Sequence, residues 1–371
     1  MKVGFIVNPV AGMGGAVALK GTDGEETLRR AVELGAKPRA AGRAETALRE
    51  FADAARGTLF LAPSGEMGAG LLTKYGIECE TLFETGTCTS AADTRRAAQM
   101  MLELGAELII FAGGDGTARD VCAAVGDKIP VVGIPAGVKI HSAVYAKRPQ
   151  EAGKLVKNFL EGRVKRFTEA EVMDIDEEAF REGRVSARLY GYMRVPDDAE
   201  FMQERKSGGG AGSAEESANL AAFLANSMKP GTLYLIGSGS TTMRLKERLG
   251  INGSLLGVDA VKDGAQLGKD LTSEQIKNLL SAESPENRAL IITVIGGQGH
   301  IFGRGNQQLS PEVIKMFPRE NITVAATPAK MAGLFGKSLI ADTGDAALDE
   351  ELKGYVPVVT GHARRMMAKI G

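Results

Sequence analysis

Residues 113–117 read Gly-Gly-Asp-Gly-Thr, and an aspartate wrapped in glycines is the strongest chemical signal in this sequence. An apolar run, "AELIIFA" (106–112), leads into it, and a helical pattern, "ARDVCAAVG" (118–126), leads out. In an open α/β sheet, ligands sit beyond the carboxyl ends of the strands. Gly113, Gly114 and Gly116 allow a backbone approach that side chains would block. Amides in such a turn, with the start of the next helix, can hold phosphate, and Thr117 belongs to the same cradle. Asp115 then stands beside phosphates. That is a poor place for a carboxylate unless it contacts Mg²⁺ or takes a proton from an attacking hydroxyl. The plainer alternative is a tight turn in which Asp115 or Thr117 caps the helix.

Three more loops carry groups of this kind. "GIPAGVKIHSAVYA" (133–146) follows another strand end, where Gly133, Gly137 and His141 border the same crevice. Lys139 is placed to meet a phosphate, and His141 to act as donor or base. "IGSGSTTMRL" (236–245) joins a strand to a helix, and Ser238, Ser240 and Thr241 suit an anion at a helix N-terminus, or a simple N-cap. "GGQGHIFGRGNQQLSP" (296–311) interleaves glycines with Gln298, His300, Arg304, Asn306 and Gln307, a dense hydrogen-bonding set. Arg304 is suited to a phosphate or carboxylate. "GLFGKS" (333–338) is not a phosphate-binding P-loop, because only two residues separate its glycines and a strand-like "SLIAD" follows. "DTGD" (342–345) reads as a loop with Asp345 as a cap.

The elements that must position these residues follow from the hydrophobic pattern. "KVGFIV", "GTLFLA", "IECETL", "AELIIFA" and "IPVVGI" read as strands, with helical patterns between them, which predicts a mostly parallel sheet covered on both faces. Near Arg163 the pattern changes to two partly alternating strands, "VKRFTEAEVMDID" and "GRVSARLYGYMRV", after which "RKSGGGAGS" (205–213) reads as a flexible or phosphate-facing loop. Strand–helix alternation resumes from "AEESANLAAFLANSM" onward. The fold class expected is therefore α/β: a parallel-sheet domain over 1–165, and a mixed second domain over 166–371 that opens with antiparallel strands.

Composition narrows the function. The 371 residues carry a formal net charge of −1, without a basic run, so nucleic acid is not an expected partner. No stretch approaches the roughly 18 apolar residues of a membrane span, and "MKVGFIVNPVAG" reads as a strand rather than a leader, so a cytoplasmic location and no membrane partner are expected. Three cysteines form no CxxC pair, and three scattered histidines propose no metal cluster.

"GGDGT" resembles the signature of the superfamily of NAD kinases, diacylglycerol and sphingosine kinases, and 6-phosphofructokinases. "FIVNPVAGMGG" (5–15) agrees, placing Asn8 and a loop of Gly12, Gly14 and Gly15 after the first strand. "NPVAGMGG", "GIPAGVKIHSAVYA", "GGQGHIFGRGNQQLSP" and "TPAKMAGLFGKSLIADTGD" are similar to the ATP-NAD kinase-like family of archaea and bacteria, relatives of the acetoin-catabolism protein X. The resemblance spans nearly the whole chain and implies catalysis by Asp115. It implies ATP (or polyphosphate) and Mg²⁺ over Asn8, Gly12, Gly14, Gly15 and Gly113–Thr117. It also implies NAD as the acceptor of a phosphoryl group, contacted by Gly137, His141, Ser238, Ser240, Thr241, Gln298, Arg304 and Asn306, and a homo-oligomer. One departure stands out. NAD kinases carry an Asn-Glu or Asn-Asp pair that holds the substrate ribose, and 118–200 contains none. Glu169, Glu171, Asp174 and Asp176 stand there instead, on a strand whose charged residues would ordinarily face water. Another hydroxylated metabolite or a lipid as acceptor, and a nucleotide-binding regulator without turnover, remain alternative expectations.

Overall fold

In the computed structural model the described residues are 1–19, 25–86, 88–138, 140–175, 187–203, 214–334, 336–362 and 364–371. The chain forms two compact units, one of Met1–Met13 with Gly21–Arg205, the other of Gly14–Lys20 with Lys206–Gly371.

The first unit is built on a parallel five-stranded sheet. Its strands are β1 (Lys2–Val7), β2 (Leu59–Ala62), β3 (Cys79–Thr81), β4 (Leu108–Gly113) and β5 (Val131–Pro135), in the order β3-β2-β1-β4-β5. The helices are α1 (Glu25–Glu33), α2 (Ala40–Phe51), α3 (Ala69–Lys74), α4 (Ala91–Glu103), α5 (Asp115–Val125) and α6 (Pro149–Leu160). Every residue of β4 is buried, and all of β1 beyond Lys2, as strands covered on both faces must be. Local chemistry sets the helix starts. Ser90 and Asp93 form a capping box at α4, and Pro149 opens α6 where its missing N–H costs nothing. Phe5, Phe60, Phe111 and Tyr145 are fully buried in the core.

The expected antiparallel pair follows as β6 (Phe167–Ile175) and β7 (Ala187–Pro196), a two-stranded sheet of its own. It packs in the first unit, on α5, so that unit runs past residue 165 to Arg205. The glycine-rich stretch 205–213 lies outside the described residues.

The second unit carries a mixed seven-stranded sheet, ordered β10-β9-β8-β11-β13-β15-β16. Its strands are β8 (Leu233–Ile236), β9 (Asp259–Lys262), β10 (Ala265–Gly268), β11 (Arg288–Thr293), β13 (Ile322–Ala325), β15 (Gly354–Gly361) and β16 (Arg364–Ile370). A small parallel pair, β12 (His300–Phe302) and β14 (Ile340–Ala341), stands apart. The helices are α7 (Ala214–Asn226), α8 (Ser240–Arg248), α9 (Ser273–Ser281), α10 (Pro311–Ile314), α11 (Pro328–Ala332) and α12 (Ala346–Glu351). Alternate strand residues enter opposite cores. Leu233 and Leu235 join one cluster, Tyr234 and Ile236 the other, so both sheet faces are covered. Asp345 caps α12 by accepting the N–H groups of Ala347 and Leu348. An ion pair with no exposed side-chain surface, Lys246 Nζ to Asp259 Oδ2 at 2.9 Å, pins α8 to β9.

Candidate functional site

The strand order of the first unit puts a switch point between β1 and β4, where the chain leaves in opposite directions. The strand ends there are Asn8, just past β1, and Gly113, which pairs with Pro135 of β5. Asn8 ties them together: its N–H donates to the Ala112 carbonyl at 3.0 Å, and its Nδ2 donates to Thr117 Oγ1 at 2.9 Å. Its Oδ1 accepts the Val10 N–H at 3.3 Å, which shapes the loop toward Gly12.

Gly114 is the N-cap of α5, so Asp115, Gly116 and Thr117 form its first turn. Neither Asp115 nor Thr117 caps the helix. A helix start presents N–H groups that have no partner within the helix, together with the positive end of its dipole. The turn after β5 lies against this start. Ala136 and Gly137 both donate to the Gly113 carbonyl, at 2.9 and 3.0 Å. A Cβ on Gly137 would lie 2.7 Å from Gly114 Cα, and one on Gly12 would lie 1.9 Å from the Ala136 carbonyl oxygen. Gly12 also has φ +76°, a conformation that favours glycine. These glycines therefore let backbone meet backbone across three loops.

The buried Asp115 carboxylate is gripped by the loop after β5. Oδ2 accepts the His141 N–H at 2.8 Å, and Oδ1 accepts the Ser142 N–H at 2.9 Å. His141 Nδ1 lies 3.2 Å from Oδ2. Ser142 has no exposed surface; its Oγ accepts the Met173 N–H of β6 at 2.9 Å, while Ala143 N–H donates to the Glu171 carbonyl at 2.8 Å. Tyr145, also fully buried, donates its hydroxyl to the Gly114 carbonyl. The ring fits because Gly133 has no side chain: a Cβ there would lie 2.5 Å from Tyr145 Cδ1. Ser142 and Tyr145 were not among the expected site residues. Both lie in the same "HSAVY" string, but only the fold shows that one backbone N–H and one hydroxyl converge on the aspartate turn. Lys139 and Asp176 lie outside the described residues.

The second unit gathers its own set. Ser238 Oγ donates to the Gly305 carbonyl at 2.7 Å and so joins the β8–α8 loop to the 296–307 loop. Gly239, not Ser240 or Thr241, is the N-cap of α8. Ser240 is exposed, whereas Thr241 is buried and its Oγ1 accepts from Lys330 Nζ at 2.8 Å. Gln298, Arg304 and Asn306 are all buried. Arg304 Nη1 lies 3.5 Å from Gln298 Oε1, and Asn306 Nδ2 donates to the Ile301 carbonyl at 2.8 Å. Asn306 Oδ1 and Thr293 Oγ1 are buried without a hydrogen-bond partner. Gly14 and Gly15 belong to this unit, in a short 3₁₀ turn over Met13–Val17, with Gln307 packed on Gly15.

Among the described residues no three His, Cys, Asp or Glu side chains cluster to hold a metal ion. Both Asp115 oxygens accept backbone N–H donors. Burial pushes the thiols of Cys79 and Cys122 up, away from the thiolate that a nucleophile needs. No helix among the described residues is long and apolar enough to cross a membrane.

The family profile for the ATP-NAD kinase N-terminal domain matches residues 3–164, and that for the ATP-NAD kinase C-terminal domain matches residues 231–370. No curated protein matches the chain, and no solved structure does.

Proposed function

We propose, from the premise that this chain belongs to the NAD kinase-like family through both its N-terminal and its C-terminal domains, that it transfers a phosphoryl group from ATP, or polyphosphate, to the adenosine-ribose hydroxyl of NAD. One observation carries the reading. Asp115 stands at the switch point of the first sheet, on the first turn of α5, held by two backbone N–H groups. A helix start offers N–H groups and a positive dipole end to phosphates. A fixed proton-accepting group beside it suits the attack of a hydroxyl on phosphorus.

In this reading the donor phosphates lie over the loop of Gly12 and over the α5 start with Gly113, Gly114 and Gly116. Mg²⁺ would arrive on the donor's own phosphates, where it would neutralise their charge. The acceptor's proton leaves to the Asp115–His141 pair. In the second unit, taken by itself, the Ser238–Thr241 and Gln298–Asn306 loops are proposed as substrate-binding loops. Asn306 Oδ1, buried without a hydrogen-bond partner, is an acceptor group that a ligand hydroxyl or amide would satisfy. The strings at 133–146 and 296–311 support placement with the archaeal and bacterial ATP-NAD kinase-like proteins, near the acetoin-catabolism protein X. A cytoplasmic enzyme, acting as a homo-oligomer without nucleic acid or membrane, fits that placement.

A second acceptor class is favoured by one observation: 118–200 lacks the Asn-Glu or Asn-Asp pair that holds the ribose in NAD kinases. The deciding experiment is a turnover assay with ATP, Mg²⁺ and NAD, reading NADP, for the wild type and Asp115→Asn. NADP formation abolished in the variant is the expected result. Binding of ATP without NADP formation would redirect the assay to other hydroxylated acceptors, and inactivity on all of them would leave a nucleotide-binding regulator.

A further inference from the structure

We infer that the second unit carries a phosphate-binding site of its own, at the start of α8, built by the carboxyl ends of β8, β11 and β13. The inference rests on the reading of Ser238–Thr241 as a substrate-binding loop, and it does not depend on phosphoryl transfer.

The sheet sets the place. Strands β8, β11 and β13 are parallel neighbours, so their carboxyl ends share one edge. From β8 the chain passes through α8 to β9 on one side, and from β11 it passes to β13 on the other. In open α/β sheets, ligands sit where the connections of neighbouring strands part in this way. The Gly237 N–H donates to the Ile291 carbonyl at 2.8 Å, which keeps the β8 loop against β11.

The groups at this edge are of one chemical kind. α8 starts from Gly239, an N-cap with no side chain to offer. Its first-turn N–H groups, from Ser240 to Thr242, have no partner within the helix and stand at the positive end of its dipole. Thr293 is the last residue of β11 and only 7% exposed, and its Oγ1 is buried without a hydrogen-bond partner. The side chain is directed at the α8 start: Cγ2 lies 2.6 Å from where a Cβ on Gly239 would stand, and Oγ1 is carried by the same carbon. A buried hydroxyl left unbonded costs free energy that an acceptor on a ligand recovers. Lys330, on α11 after β13, donates from Nζ to Thr241 Oγ1 at 2.8 Å, which brings an ammonium to the first turn of α8. Dipole end and ammonium have the same sign, and the hydroxyl adds a donor. The ligand they suit together is an anion rich in acceptor oxygens. Phosphate is the class that a helix start holds, with lysine as a point charge beside it. Ser240 is exposed, so the site opens to solvent there.

The test is a titration of the full chain with inorganic phosphate and, separately, with glycerol 3-phosphate, at constant ionic strength. The amide NMR signals of Ser240, Thr241 and Thr242 are expected to shift saturably with both; the tighter of the two tells a free anion from an esterified one. Thr293→Val keeps the methyl against Gly239 and removes only the hydroxyl. It should weaken binding about 3- to 10-fold, the worth of one hydrogen bond. Because valine also removes an unsatisfied buried group, this variant should melt no lower than the wild type when phosphate is left out. Lys330→Met should weaken binding by about 10-fold or more, as loss of a charge-assisted bond does. Amides of Ser240–Thr242 that do not respond, or an affinity that neither variant changes, would overturn the inference. A marked drop in the melting temperature of Thr293→Val would overturn it too, by showing the hydroxyl to be satisfied within the protein. Thr293→Val stays decisive if Lys330→Met fails to fold. The phosphotransferase reading is judged apart from this, by NADP formation: its failure leaves a response at α8 standing, and its success does not rescue a silent α8.

Discussion

Gly114 and Gly137 touch through their backbones: a Cβ built on Gly114 would sit 3.1 Å from Gly137 Cα, and the reverse Cβ closer still. Two loops that leave neighbouring strands thus share one layer of backbone, with Asp115 on one loop and its N–H donors on the other. Any side chain inserted there separates the carboxylate from His141.

Gly137→Ala is expected to lower stability by about 1–3 kcal/mol, as overpacking against a rigid neighbour does, and to weaken ATP binding. Gly42→Ala is the contrast. Gly42 lies inside α2 with open space around it and an ordinary backbone, so alanine should raise stability by about 0.5–1 kcal/mol. Chemical denaturation of both variants checks the pair, and a stable Gly137→Ala protein with normal ATP affinity would contradict the packing argument.

Lys246→Met should destabilise the second unit by about 3–5 kcal/mol, because it leaves Asp259 buried without its counter-charge. The loss exceeds that of a surface pair because Lys246 Nζ also donates to the Ser254 and Gly257 carbonyls, at 2.8 and 3.1 Å. Urea unfolding monitored in the full chain measures it. A change below about 1 kcal/mol, the range of exposed pairs, would count against a structural role.

Glu45 is held down to a pKa of about 2 by hydrogen bonds from Lys74, Arg49 and Tyr75, in that order. A depressed carboxylate adds stability above its unfolded pKa and loses it as pH falls through the folded one. The stability gap between the wild type and Glu45→Gln should therefore be full at neutral pH and close between about pH 4.5 and 2. Its size should stay near 1 kcal/mol or less, since Arg49 and Lys74 are largely exposed. Melting curves across that window test the sign, and a gap that widened on acidification would be inconsistent with it.

Ser238→Ala removes the bond to the Gly305 carbonyl that joins two loops of the second unit. The expected cost is about 0.5–1.5 kcal/mol in stability, with a rise in KM for the acceptor and little change in KM for ATP. Equal rises in both would argue that these loops do not bind the acceptor selectively.

Much of the fold is legible in the sequence because buried parallel strands are continuous apolar runs. "KVGFIV" and "LIIFAG" need no partner to be recognised. The hairpin of β9 and β10 is harder, since "DAVK" and "AQLG" are short and partly polar. Its signal lies between them: Asp263 and Gly264 both have positive φ, the pattern of an Asp-Gly hairpin turn. At the site, a glycine string points to close approach without saying what approaches. Gly12 and Gly137 turn out to meet neighbouring backbone. Ser142 and Tyr145 act through a main-chain N–H and a bond to a carbonyl, roles that leave no mark on residue type or spacing.

The stretch Gly14–Lys20 belongs to the second compact unit, although it follows the first strand of the first. On the ribosome, where domains fold in the order they emerge, this stretch is made well before the rest of its own unit. It must then wait until Lys206–Gly371 has been synthesised before it finds its neighbours. A late-arriving unit thus completes an early loop, and a nascent chain halted before its second unit would carry the glycine loop unfinished.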